Sequence, residues 1–258
     1  MRKNLLLILS VVFSCFALNS CDAWEDENYD NNSGGGGSDG PGTILLLKKS
    51  KTVAANGVSG ENTYTYDNQN RVTNVKTINN IEDVTSYGET NYQYPSENKV
   101  NVINKLYISG ELVSTNTINL EILSSTTAKM TTVSDFVGEI ISDITYSAPC
   151  GISKMVNTMG EMGSSTQTYE YFDNKCSFYE YLDGELVSTT FNDDKFSPFF
   201  DPMRVSMGLV SHNPIKIEEP GGTYEAISYQ YNSENYPTQA NHTFDESESN
   251  YTETFEYY

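Results

Sequence analysis

A tyrosine pair that recurs along the chain constrains its fold more than any other feature. Four copies of Tyr-x-Tyr, each followed by polar residues, read YTYDNQNRV from Tyr64, YQYPSENKV from Tyr92, YEYFDNKC from Tyr169 and YQYNSENYP from Tyr229. In three copies an Asn follows the first Tyr by six residues, and in the third copy Asn174 follows by five. The hexapeptide GELVST also occurs twice, at 110–115 and 184–189. Spacings of about 25–28 residues between most unit starts indicate one repeated supersecondary unit.

Each unit predicts an antiparallel hairpin. Strand side chains alternate, so the two rings of Tyr-x-Tyr share one face. The polar residues that follow tolerate turn dihedrals, and β-branched stretches such as 71–78 and 99–108 return as the next strand. At roughly 13 residues per strand and turn, 44–258 accommodates about 14–16 strands. We therefore predict an all-β antiparallel domain over 44–258.

One segment departs from the hairpin pattern, at 201–211. Asp201 and Pro202 can cap and begin a short helix, after which Met203 and Met207 share one face. The alternative is an irregular loop.

The first twenty residues have the pattern of a targeting segment. Arg2 and Lys3 precede an apolar run over 5–18 that is too short to span a bilayer, which is typical of a secretory signal peptide at 1–20. The junction LNSC resembles a bacterial lipobox, which implies lipidation of Cys21 and a membrane contact through that anchor. The alternative is a secreted form without lipid.

The stretch at 21–43 is acidic, contains four consecutive Gly and has no Lys or Arg. Such a composition predicts a flexible tether. Its acidic cluster behind Cys21 resembles the export signal of Bacteroidetes surface lipoproteins, which implies the cell-surface side of the outer membrane. The alternative is an ordinary solubilising linker.

The repeats and flanking motifs together resemble known families. YTYDNQNRV and YQYNSENYP resemble YD-type repeats of secreted bacterial proteins. With DDKFSPFFDPM at 193–203, HNPIKI at 212–217 and the N-terminal targeting segment, the chain resembles a Bacteroidetes surface lipoprotein family of unknown function with a porin-like fold. The resemblance implies one large antiparallel sheet, strongly curved or barrel-like, with at most one short helix near 201–211. It implies no activity.

The strand faces indicate a sheet that stands in water. A lipid-facing strand needs apolar residues at every second position. Thr63 and Thr65 oppose Tyr64, and Glu139 and Asp143 lie opposite an apolar face, as in a half-buried strand. The alternative is a membrane-embedded barrel, of which the aromatic end FEYY at 255–258 is typical.

Composition excludes several classes. The chain has 35 acidic and 15 basic residues, a net charge of −20, so we expect no nucleic-acid partner. It lacks G-x-S-x-G and H-E-x-x-H motifs. We interpret His212 as a turn residue and His242 as an ordinary strand residue.

The remaining candidate sites are two acidic pairs and one oxygen-rich turn. The pairs Asp193/Asp194 and Glu218/Glu219 read as solvated surface, although paired carboxylates could serve glycoside cleavage. The run 67–70 offers oxygen atoms to calcium but lacks the usual spacing, and a turn explains it more simply. We expect no cofactor, with calcium as the open alternative.

Cys150 and Cys176 remain in the mature chain, in a compartment where disulfides form. They occupy nearly equivalent turns of successive hairpins, which places them about 9–10 Å apart, beyond the reach of about 7 Å for a disulfide. The register therefore favours two free thiols.

These observations predict a surface-anchored, non-catalytic lipoprotein that binds or displays, with a glycan or a protein as ligand. The alternatives are a carbohydrate-active enzyme using carboxylates and Tyr in a cleft, or a structural subunit of a surface assembly. Tyrosine rings suit half-wet surfaces and also stabilise sheet cores; we interpret them mainly as core. The candidate ligand-facing aromatics are Tyr64, Tyr66, Tyr92, Tyr94, Tyr169, Tyr171, Tyr229 and Tyr231.

Overall fold

The computed structural model describes residues 45–81, 84–160, 163–197, 212–222, 224–245 and 249–258. Within these residues the chain forms sixteen β-strands. The strands are β1 (Leu47–Ala54), β2 (Ser59–Tyr66), β3 (Val72–Ile81), β4 (Val84–Ser96), β5 (Lys99–Ile108), β6 (Glu111–Ser124), β7 (Thr127–Ser134), β8 (Gly138–Ser147), β9 (Gly151–Thr158), β10 (Ser164–Tyr171), β11 (Phe178–Leu182), β12 (Glu185–Phe196), β13 (His212–Glu218), β14 (Tyr224–Tyr231), β15 (Pro237–Phe244) and β16 (Tyr251–Tyr257).

The sixteen strands close into one antiparallel barrel. Each strand pairs with its neighbours in sequence, and β1 pairs with β16. This confirms the predicted all-β fold of successive hairpins, at the upper limit of the expected strand number. The short helix predicted at 201–211 lies outside the described residues. No helix in the described ranges is long and apolar enough to cross a membrane.

The two rims of the barrel carry different turns. At the rim that we call the tyrosine rim, even-numbered strands end and odd-numbered strands begin. There Asp67 accepts the backbone N–H groups of Gln69 and Arg71, and Asn70 has a φ of 62°. A side chain that satisfies backbone donors, followed by a left-handed residue, is the chemistry of a tight turn.

The same turn recurs after β10 and β14. Asp173 and Asn232 repeat the acceptor role, and Cys176 and Asn235 repeat the left-handed residue, with φ of 59° and 65°. The sequence alignment put Asn174 in that position in the third copy, which was wrong. The extra residue Phe172 shifts the turn, so the equivalent position is Cys176.

The duplicated hexapeptide forms two like hairpins at the opposite rim. Gly110 and Gly184 both have left-handed φ, 85° and 88°, as a two-residue hairpin turn requires. In each hairpin the pairing register shifts between the second and third residues before the turn, at Leu106/Tyr107 and at Glu180/Tyr181.

Tyrosine hydroxyls tie neighbouring strands together at the tyrosine rim. Tyr66 donates to the carbonyl of Leu47 at 2.7 Å, and Tyr94 donates to the carbonyl of Val72 at 2.9 Å. In both cases a ring near the end of an even-numbered strand reaches the start of the strand before it. The same tie joins Tyr171 to Ile152, Tyr229 to Pro214 and Tyr257 to Pro237.

The core lies on the inner face, toward the tyrosine rim. One cluster, on β3–β8, includes Tyr92, Val102 and Ile118. A second cluster joins β1, β2 and β14–β16 and comprises Leu47, Tyr64, Ile227, Ala240 and Phe255. Farther from that rim, inward positions carry Asn104 and Asn116, which face each other across β5 and β6. A barrel of sixteen strands is wide enough to leave an aqueous interior, and such polar side chains suit one.

The outer face is polar at mid-strand. Lys76, Lys129, Asp143 and Lys154 are exposed near the middle of their strands. Ion pairs join adjacent strands on this face, among them Lys49–Glu61 at 2.8 Å and Lys99–Glu121 at 3.0 Å. A barrel that contacts lipid instead needs an apolar band of about 25 Å at this height.

Cys150 and Cys176 form a disulfide, with Cα atoms 5.2 Å apart. The expectation of two free thiols was therefore wrong. It assumed the spacing of paired strands, but both residues lie in turns at the tyrosine rim, beyond the strands whose hydrogen bonds set that spacing. The two turns approach each other there.

Candidate functional site

The inner face of β14–β16 carries a group of ionisable side chains. Glu225 lies two residues before the buried Ile227, His242 two residues after the buried Ala240, and Glu253 two residues before the buried Phe255. Because strand side chains alternate, all three point to the same inner face as the core. Tyr251 joins them from the same face of β16.

These side chains contact one another closely. Nδ1 of His242 lies 2.5 Å from Oε1 of Glu225, and the Tyr251 hydroxyl lies 3.4 Å from the same oxygen. The His242 and Tyr251 rings stack at 4.0 Å. An ionised carboxylate only accepts hydrogen bonds, so in that form Glu225 pairs with the tautomer of His242 that carries its proton on Nδ1. The other ring nitrogen, Nε2, is buried and has no hydrogen-bond partner in the described part of the chain.

Glu253 has the most perturbed carboxyl of this group. Burial raises the pKa of Glu253 to about 7, although a hydrogen bond with Ser50 opposes the rise. Burial, and next the negative charges of Glu225 and Glu253, raise the pKa of Tyr251. At neutral pH the carboxyl of Glu253 is therefore partly protonated and can donate or accept a hydrogen bond.

A second polar group lies where β12 and β13 lose their regular register. The Tyr231 hydroxyl donates to Asp193, whose other oxygen accepts the backbone N–H groups of Lys195 at 2.9 Å and of Asn213 at 3.3 Å. Burial and the bond to Asp193 raise the pKa of Tyr231. Asp193 thus fixes the backbone where two strands diverge.

The structure does not join the adjacent carboxylate pairs into sites. Asp193 is partly buried, whereas the Asp194 side chain is 71% exposed, 3.8 Å from Lys195. Glu218 forms an ion pair with Lys216. Adjacent strand residues face opposite sides, so neither pair converges on one substrate.

The eight tyrosines singled out from the sequence occupy inward positions near the tyrosine rim. Tyr64 and Tyr92 are buried in the two core clusters, which confirms the interpretation of these two rings as core. Tyr66, Tyr94, Tyr171 and Tyr229 make the carbonyl ties described above, Tyr231 binds Asp193, and Tyr169 lies 3.5 Å from Glu180. A ligand-facing role for these rings stays a prediction.

The possible calcium ligands and the lipidation site have separate outcomes. Asp67 accepts hydrogen bonds from the backbone of Gln69 and Arg71 and from the Arg71 guanidinium at 2.8 Å, so the turn accounts for its oxygens. Within the described ranges, no three His, Cys, Asp or Glu side chains form a group that could hold a metal ion. Cys21 lies outside the described residues.

Sequence reasoning missed the inner group on β14–β16. It interpreted His242 as an ordinary strand residue and did not single out Glu225, Tyr251 or Glu253. The alternating stretches ANHTF and YTETFEYY carried a usable signal, because each places polar residues in phase with buried apolar ones. His212, expected in a turn, begins β13, and its Nδ1 lies 3.2 Å from the Lys195 carbonyl.

Comparisons with known proteins bear on the fold. A solved structure described as a porin-like protein from Bacteroides uniformis matches with a TM-score of 0.57 and 9% sequence identity, over 82% of this chain and 96% of that chain. No family model matches the chain, and no curated protein matches it. At this identity the likeness shows a porin-like barrel fold.

Proposed function

We propose that this chain is a lipid-anchored surface protein whose barrel stands in water beside the outer membrane and acts as a non-catalytic binding or display module. The observation that carries the proposal is the outer face, where exposed charges such as Lys129, Asp143 and Lys154 lie at mid-strand. Burying such charges in hydrocarbon costs about 2–4 kcal/mol each for Lys at the midplane. A barrel of this kind needs another membrane attachment, and the lipobox at Cys21 supplies a candidate.

The N-terminal sequence supports the surface location. The acidic tether at 21–43 resembles the export signal of Bacteroidetes surface lipoproteins, and the solved neighbour comes from a Bacteroides species. The porin-like fold fits the family resemblance stated from the sequence. We include in this proposal that the Tyr-x-Tyr units are YD-type repeats.

Metabolic labelling and protease accessibility test the anchor and the location together. We expect wild-type protein to incorporate an alkyne-tagged fatty acid and to be degraded by protease added to intact cells. Cys21→Ser should lose the label. A variant with Asp22, Glu25, Asp26 and Glu27 changed to their amides should keep the label and become protected. An unlabelled wild-type protein, or one protected in intact cells, contradicts the proposal.

One observation favours an enzyme as the second candidate. Glu225 and Glu253 both approach Tyr251 on a concave inner face, and the pKa of Glu253 is raised to about 7, a pattern that glycoside hydrolases use for acid catalysis. The side chains of His242 and Glu225 are only 10% and 16% exposed, which favours a structural role. Release of reducing sugar from oligosaccharides, abolished by Glu253→Gln, would establish the enzyme.

The closed barrel bears on the alternative of a structural subunit that assembles by exchanging strands. Among the described strands each has two neighbours, because the barrel closes between β1 and β16. An incoming donor strand requires an open sheet edge. An assembly role would therefore have to use side-chain surfaces.

A further inference from the structure

An aromatic patch interrupts the polar outer face along β11, β12 and the end of β10. It comprises Phe172, Tyr179, Tyr181 and Phe191, and we call it the outer aromatic patch. Its side chains point outward because Tyr171, Phe178 and Glu180, the residues between them, take the inward positions. Elsewhere on the outer face, polar side chains lie among exposed aliphatic residues such as Ile78 and Val133, and a second ring pair, Tyr87 and Tyr107, lies on β4 and β5. An exposed apolar patch on an otherwise polar surface marks an interaction site more often than scattered apolar residues do.

Three of the four rings form a continuous platform. Phe172 and Tyr179 lie 4.7 Å apart between ring centroids, inclined by 37°, and Phe191 packs edge-on against Phe172 at 5.7 Å. Phe172 is 41% exposed and Tyr179 is 37% exposed. Thr189, directly opposite Tyr179 on β12, is only 9% exposed. The rings thus cover the strand surface beneath them while their own upper surfaces face solvent.

Charged side chains border the platform without giving it a dominant sign. The ammonium group of Lys216 lies 5.5 Å from the Phe191 ring centroid and forms an ion pair with Glu218. On the other side Glu170 pairs in register with Tyr179 and bonds the Tyr181 hydroxyl. The border therefore offers one cation, two carboxylates and two phenolic hydroxyls, which suit a neutral ligand rich in groups that both donate and accept hydrogen bonds.

The size of the patch limits its occupant. Rings of this kind bury about 150–250 Å² each when fully covered, so their exposed portions amount to roughly 250 Å² in all. A stable protein interface buries about 800 Å² on each partner. The exposed ring area alone is about a third of what a stable protein partner needs, and it matches one or two sugar rings.

We propose that the outer aromatic patch binds a neutral saccharide, whose ring C–H face stacks on Phe172 and Tyr179 while its hydroxyls contact Lys216 and Glu170. The C–H groups on one face of a pyranose are apolar and weakly positive, and they complement the negative face of an aromatic ring. This inference rests on the binding function proposed above and assigns it a site and a ligand class.

Two pairs of variants test the site in the lipid-free mature chain. Phe172→Ala with Tyr179→Ala removes the platform. Tyr87→Ala with Tyr107→Ala is the matched control, because those two rings also pair on the outer face, 5.6 Å apart. The probes are a printed array of neutral and acidic glycans, followed by calorimetry with neutral hexasaccharides of glucose, mannose and xylose. Thermal unfolding of both variants checks that each is folded.

We expect a neutral glycan to bind wild type and the control equally, and the platform variant to bind at least about tenfold more weakly, a change of about 1.4 kcal/mol. Binding that survives in the platform variant overturns this site but leaves a binding function standing. Binding of acidic glycans alone, equal losses in both variants, or no binding on the array also overturns the inference. Protease accessibility of the anchored protein separately tests the proposed location.

Discussion

Glu253 should make the stability of the barrel depend on pH. Its pKa is raised by burial from 4.5 to about 7 in the folded protein. The groups around it are Ser50 on β1, Tyr64 on β2, Tyr229 on β14 and Tyr251 on its own strand, all uncharged at neutral pH. No described cation offsets the carboxylate. The folded state therefore binds this proton more tightly than the unfolded chain does.

The sign and size follow from linkage. Below pH 4.5 the carboxyl of Glu253 is protonated in both the folded and the unfolded state, so it does not destabilise the fold. Because the pKa is higher in the folded state, the free energy of unfolding falls as pH rises from about 4.5 to about 7. A shift of this size corresponds to about 3 kcal/mol at 1.36 kcal/mol per pH unit. The Glu253 residue is only half-buried, so screening by water reduces the expected loss to about 2–3 kcal/mol.

Glu253→Gln isolates this contribution. The amide cannot ionise, so any effect of the substitution on packing is the same at every pH. It therefore cancels when the change in stability with pH is compared between the two proteins. We expect the free energy of unfolding of the variant, relative to wild type, to increase by about 2–3 kcal/mol between pH 4.5 and pH 8. Urea denaturation at fixed slope measures it. Glu256→Gln, on the outer face of the same strand, is the control. A difference that stays constant with pH refutes the reasoning.

Three further predictions concern stability. Replacing Cys150 and Cys176 by Ser should cost about 3.5 kcal/mol for a crosslink that spans 26 residues, and the unreduced wild type should be about 2 Da lighter in mass spectrometry than the reduced form. Tyr66→Phe should cost about 1 kcal/mol in urea unfolding, because it removes the bond to the Leu47 carbonyl. Gly184→Ala should cost about 1–2 kcal/mol through its left-handed φ, whereas Gly221→Ala, where a methyl group also meets no atom, should cost less.

The hairpin architecture was predictable because it depends on local chemistry. Tyr-x-Tyr fixes a face by alternation, and a polar segment such as 67–70 fixes a turn by the dihedrals it tolerates. These rules gave an antiparallel sheet and its strand number. Closure between β1 and β16 joins residues from the two ends of the domain, and only the family resemblance pointed to it.

The contacts of individual residues were less predictable, since they depend on how turns and strands lie in space. The prediction of free thiols at Cys150 and Cys176 failed because both residues lie at a rim, where strand spacing no longer applies. The group of Glu225, His242 and Tyr251 comes from three strands, and no single motif reports such a group. The outer aromatic patch likewise combines residues from β11, β12 and the end of β10. The extra residue Phe172 shifts the third repeat relative to the others, so aligning the repeats does not reveal the patch.

The central claim is that the outer face of this barrel contacts water and not lipid. Spin labels at Lys76→Cys, Lys129→Cys and Lys154→Cys, in the lipidated protein on vesicles, measure that contact through collision with a polar nickel complex or with oxygen. Oxygen concentrates in hydrocarbon, and the nickel complex stays in water. We predict that collisions with the nickel complex dominate at all three mid-strand positions. Dominant oxygen collisions there would contradict the account and show a membrane-embedded barrel.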